Sequence, residues 1–185
     1  MVTALSLLTA CGGNPKTTAE AEKIDYTVEQ FADLQILRYR VPGFEDLSLK
    51  QKELVYYLTE AALQGRDILF DQNGKYNLTI RRMLEAVYTG YKGDKNTPDF
   101  KAMEVYLKRV WFSNGIHHHY GCEKFVPGFT PEFFRQAVQS VDAATLPLAE
   151  GQTVEQLCEE VFPVIFDPKV MPKRVNQAAG EDLVL

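Results

Sequence analysis

The chain has 185 residues, 45% hydrophobic and 24% charged, which is the size of one domain with enough apolar side chains to bury a core. A formal net charge of −5 argues against a nucleic-acid partner, which favours a basic face. The 20 Lys and Arg residues never form a run of five, so no polybasic patch for a membrane surface is present either.

In chain order, the first feature is Leu5-Ser6-Leu7-Leu8-Thr9-Ala10-Cys11-Gly12-Gly13, a short apolar run ending in a cysteine. It is too short to span a bilayer, which takes about 20 apolar residues. It resembles the lipobox of bacterial lipoproteins, which implies Cys11 as a lipid anchor and the bacterial cell envelope as location. A membrane is then reached only through that anchor. The basic residues of a signal peptide are missing before the run, which leaves a cytoplasmic chain as the alternative. Residues 14–23 are small, polar and charged, as in a tether, so residues 1–23 are read as signal and tether.

Residues 24–185 read as helices with clear punctuation. Ser48 with Gln51 makes a capping box, and Leu54, Leu58 and Ala61 then share a face until Gly65. Ile80, Leu84, Val87 and Tyr91 form a second stripe, opened near Asn77 and closed by Gly90 and Gly93. Thr97-Pro98 starts a helix lined by Phe100, Met103, Leu107 and Val110, and Asn114-Gly115 ends it. Trp111, next to Phe112, is expected in the core. One strand is expected at residues 123–126. Thr130-Pro131 starts the next helix, with Phe134, Ala137, Val138 and Val141 inward. Thr153 with Gln156 caps a last helix, which Pro163 should kink or stop. The predicted fold is mainly α with a small β element.

All three histidines fall in Ser113-Asn114-Gly115-Ile116-His117-His118-His119-Tyr120-Gly121, on a connector between helices, where binding groups are commonly placed. On an extended chain His117 and His119 would share one side while His118 faces away. Such a pair can bind zinc, with Cys122 as a further ligand, yet no second ligand pair at fitting spacing is visible. Hydrogen-bonding side chains on a loop are the plainer expectation. No nucleophile with an orienting base can be assigned from spacing, so catalysis within this chain is not expected. Cys122 would be reactive only if its neighbours lower its pKa. A Cys122–Cys158 bridge and two free thiols both stay open.

The run from Tyr26 to Gln35, the segment Ala61-Ala62-Leu63-Gln64-Gly65-Arg66-Asp67-Ile68, and above all residues 113–127 resemble the N-terminal part of the dipeptidyl peptidase III family, in its bacterial branch. The likeness covers essentially everything after the tether. It implies a two-lobed zinc exopeptidase that releases dipeptides from the N-termini of oligopeptides, and an incomplete, largely helical lower lobe for this chain. Zinc in that family rests on a His-Glu-x-x-Gly-His motif and a later glutamate. This sequence has no His-Glu pair. The resemblance therefore implies that the chain is the N-terminal, non-catalytic part of a longer enzyme, inactive alone, with zinc held by the catalytic lobe that is its partner.

The family's cleft-lining Ser-Phe-Gly falls on His119, Tyr120 and Gly121, counted back from Lys124-Phe125-Val126-Pro127. By resemblance these residues and Asn114 are the candidate substrate-binding set. Tyr120 keeps an aromatic face, Gly121 allows close backbone approach, His119 departs from the family's small hydroxyl, and Asn114 is offset by one residue. Such a part should expose apolar surface where the rest of the protein packs. The alternative is a self-contained helical envelope lipoprotein that binds a peptide or metal through its histidine loop.

Overall fold

A computed structural model describes residues 24–173 of the chain. The lipobox-like segment with Cys11 lies outside the described residues. The architecture is mainly helical with a small two-stranded antiparallel sheet. The elements are β1 (Thr27–Phe31), β2 (Leu34–Leu37), α1 (Leu49–Gln64), α2 (Arg66–Asn73), α3 (Asn77–Gly90), α4 (Pro98–Ser113), α5 (Pro131–Ser140), a 3-10 turn (Ala143–Thr145) and α6 (Val154–Phe166).

Helix α3 is the hub: it packs against α2, α4 and α5, and α5 in turn packs against α6. Helices α3, α4, α5 and α6 each supply one apolar face. Ile80, Met83, Leu84 and Val87 of α3 meet Phe100, Met103, Leu107 and Val110 of α4. Phe134 and Val138 of α5 and Leu157, Val161 and Ile165 of α6 complete the core. Full burial of each such side chain contributes about 1.5–3 kcal/mol, so this quartet holds most of the stability. The starts of the helices follow the sequence. Ser48 and Thr153 form the expected capping boxes, and Thr97 and Thr130 cap helices with proline in the first turn.

Four local expectations need correction. The one strand expected at residues 123–126 is only a single bridge between His117 and Lys124, while the true sheet is the β1–β2 hairpin upstream. Helix α6 runs through Pro163 to Phe166, because the proline stands on the exposed side and the carbonyl it leaves without a partner can meet water. Gly65 ends α1 but α2 follows at once, since Gly65 keeps right-handed backbone angles (φ −77°, ψ −4°). Trp111 is 40% exposed and not in the core; its Nε1 donates to Glu85 Oε1 at 2.7 Å.

Helix α1 has no buried residue, and Leu49, Leu54, Tyr57 and Leu58 are all largely exposed. The hairpin is fastened to α4 mainly by charge. Lys108 Nζ reaches Glu29 at 2.5 Å, and Arg109 Nη2 reaches Asp33 at 2.6 Å.

Candidate functional site

The connector that carries the histidines is shaped by three turns of backbone chemistry. Helix α4 closes on Asn114, which adopts the left-handed region (φ 53°) and gives its N–H to Val110. Gly115 follows, and a Cβ there would overlap the Asn77 side chain at 2.4 Å from Nδ2. The chain then runs over the start of α3. Asn77, only 3% exposed, accepts the Ile116 N–H on Oδ1 at 3.2 Å, and Asn73 Nδ2 donates to the Asn114 carbonyl at 2.9 Å.

Two short backbone bonds fold the connector back on itself. His118 N–H donates to the Glu123 carbonyl and Phe125 N–H to the Ile116 carbonyl, both at 2.8 Å. Ile116 and Phe125 are buried in the core, which fixes both arms of this loop. Lys124 closes it from the far side, with Nζ donating to the carbonyls of Asp167 and Val170 at 2.7 Å each. Burial lowers the pKa of that ammonium.

Between these fixed arms the side chains separate into two groups. His117 turns inward and is 7% exposed. Burial, and then the charges of Lys124 and Lys173, push its imidazole down to about 4, against a weaker opposing hydrogen bond with the Met171 backbone. At neutral pH His117 is therefore uncharged. His118, His119 and Tyr120 form an outward ladder of rings, with centroids 4.4 Å and then 4.2 Å apart. Phe112 from the end of α4 meets His119 edge to face at 4.9 Å. His118 Nδ1 accepts the Tyr120 N–H at 3.2 Å, which ties the apex to the ladder. Tyr120 at that apex is 91% exposed.

The expected alternation of the histidines does not hold. The His118 and His119 rings pack against each other at a tilt of 34°, because the chain turns here instead of staying extended. That turn removes the His117–His119 pair on which a metal reading depended, and no group of three His, Cys, Asp or Glu among the described residues could hold a metal ion. Cys122 is half-buried and Cys158 is buried, both as free thiols, and burial raises the pKa of Cys158. No Cys122–Cys158 bridge forms.

Of the candidate substrate-binding residues, His119, Tyr120 and Gly121 come together at the loop apex. Asn114 stands at its root as the cap of α4. Gly121 is not a residue of positive φ, and a side chain there would crowd only the mobile carboxylate end of Glu123. The sequence marks Asn77 only as the start of a helix and does not mark Asn73 at all. Nothing local marks an asparagine that will hold a loop some 40 residues away, beyond Asn77 sitting where a helix starts. No protein-family model matches the chain, and no curated protein matches it.

Proposed function

We propose that this chain is the N-terminal, non-catalytic part of a zinc-dependent exopeptidase that releases dipeptides from the N-termini of oligopeptides. Its connector would contribute one wall of the peptide-binding cleft. The observation that carries this reading is the loop apex. Residues 113–127, the stretch with the most specific resemblance to the dipeptidyl peptidase III family, hold Tyr120 out in solvent with the His119 ring packed against it at a tilt of 48°. An exposed aromatic ring backed by a second ring suits packing against a peptide side chain. The uncovered apolar side chains of α1 add support, since a part of a larger lobe needs such a surface for its neighbour.

In this reading zinc belongs to the catalytic lobe of the parent protein, because this sequence has no His-Glu pair. Cys11 would tether the enzyme to the bacterial cell envelope by a lipid. No helix among the described residues is long and apolar enough to cross a membrane.

The test is to read the coding DNA past the codon for Leu185 and to assay the product of the whole open frame. An in-frame His-Glu-x-x-Gly-His and zinc-dependent dipeptide release from oligopeptides are expected, with no release by the 185-residue chain alone. A stop codon at that point would overturn the proposal in favour of a self-contained envelope lipoprotein.

A further inference from the structure

On the buried side of the connector lies a cleft of about 260 Å³, away from the exposed ladder and independent of the peptidase reading. Two side chains that line it, Asn77 and His117, are more than nine-tenths buried. Each keeps a polar atom without a hydrogen-bond partner, Nδ2 of Asn77 and Nε2 of His117. Buried polar atoms left unpaired are costly, by about 1–3 kcal/mol each, so two of them lining one cleft point to a ligand there, with the Asn77 amide as its donor.

The electrostatics of the cleft all have one sign. Lys75 and Lys173 stand in its wall, and no Asp or Glu lines it among the described residues. Helix α3 begins here with Tyr76 at the N-cap and no side-chain cap, so the positive end of a 14-residue helix is open to the cleft. The same lysine field that disfavours a proton on His117 favours an incoming negative charge. The rest of the lining is apolar, with Ile116 and Val164 both buried. A compact ligand with one charged end and a small hydrocarbon body fits such a wall better than a fully hydrated inorganic anion.

We infer that the cleft between the start of α3, the His117 arm of the connector and the segment after α6 is a binding site for a small organic carboxylate. The carboxylate accepts from Asn77 Nδ2 and faces Lys173, the His117 ring lies alongside it, and the hydrocarbon end lies against Ile116 and Val164.

The experiment is a titration of the ¹⁵N-labelled 185-residue chain with isobutyrate, following the Asn77 side-chain amide and the His117 ring nitrogens by NMR. Inorganic phosphate and chloride are run as parallel arms. The expected result is a saturable shift of both groups with isobutyrate, at least about tenfold weaker binding in Lys173→Gln, as for loss of one charge-assisted contact, and weaker binding of phosphate. Lys75 is exposed, so a Lys75→Gln, Lys173→Gln double variant leaves the core untouched and repeats the test. No saturable shift with isobutyrate overturns the proposal. So does equal affinity in the lysine variants, or phosphate binding more tightly than the carboxylate. Sequencing of the downstream gene bears only on the peptidase reading, so the two can fail separately.

Discussion

Asn77 opens α3 and at the same time holds the connector, by accepting the Ile116 N–H in a buried setting. Asn77→Ala removes that acceptor and leaves the Ile116 amide unpaired, so urea unfolding should show a loss of about 1–3 kcal/mol. Gly115 is the matching half of the contact. Gly115→Ala should cost a similar ~1–3 kcal/mol, because its Cβ would enter the space of the Asn77 amide. Tyr120 is the opposite case. With its ring in solvent, Tyr120→Ala should change stability by less than about 0.5 kcal/mol. In the proposed full-length peptidase the same change should raise KM for oligopeptides about tenfold with kcat little altered, as for lost uniform binding. His117 gives a pH signature. Its folded pKa lies near 4, below the unfolded value of about 6.5, so the unfolded chain takes up the proton first. Stability is full above about pH 6.5 and is lost as pH falls toward 4, by about 2 kcal/mol once solvent screening is allowed for. Asp67, which Arg81 and Arg82 hold below its ordinary range of 3.8, responds only below that window. Urea titrations across these pH values should show the slope in the native chain and its flattening in His117→Gln.

At the scale of elements, what could be read from sequence depended on whether the signal was local. Ser48 with Gln51, Thr153 with Gln156 and the two Thr-Pro starts name their helices within four residues, and all of them hold. The β1–β2 hairpin escaped notice because its turn is Ala32-Asp33, where a tight two-residue turn usually shows Gly or Asn. Ala32 takes the left-handed region (φ 49°), which costs an ordinary residue about 1–2 kcal/mol. What stabilises the hairpin is long-range, through Glu29 to Lys108 and Asp33 to Arg109. Nor does anything in the sequence reveal that the three histidines split into one buried ring and a ladder, since that follows from the anchors at Ile116 and Phe125. Attachment by exposed ion pairs is weak and screened by salt. Hydrogen exchange of β1 and β2 should therefore quicken markedly at about 1 M salt, while α3 and α4 stay protected; equal protection in both would mean that apolar packing holds the hairpin.

For the whole molecule, the stripe on α1 was legible as an amphipathic helix, but its destination was not. Leu54 and Leu58 point to solvent, so α1 and the hairpin sit outside the packed quartet of α3, α4, α5 and α6. An open apolar face of this kind favours self-association. Replacing Leu54 and Leu58 with Gln should leave the main unfolding transition within about 0.5 kcal/mol, while reducing any oligomer seen by analytical ultracentrifugation. Loss of folding in that variant would show that α1 is covered in solution.

Trp111 is the single tryptophan of the chain, and it is half in solvent, edge-on to Tyr88 and hydrogen-bonded to Glu85, one residue before the Phe112 that supports the ladder. The protein therefore has an intrinsic fluorophore where α3, α4 and the connector meet. Its emission colour reports hydration at that junction, and quenching by acrylamide gauges how tightly the junction is closed.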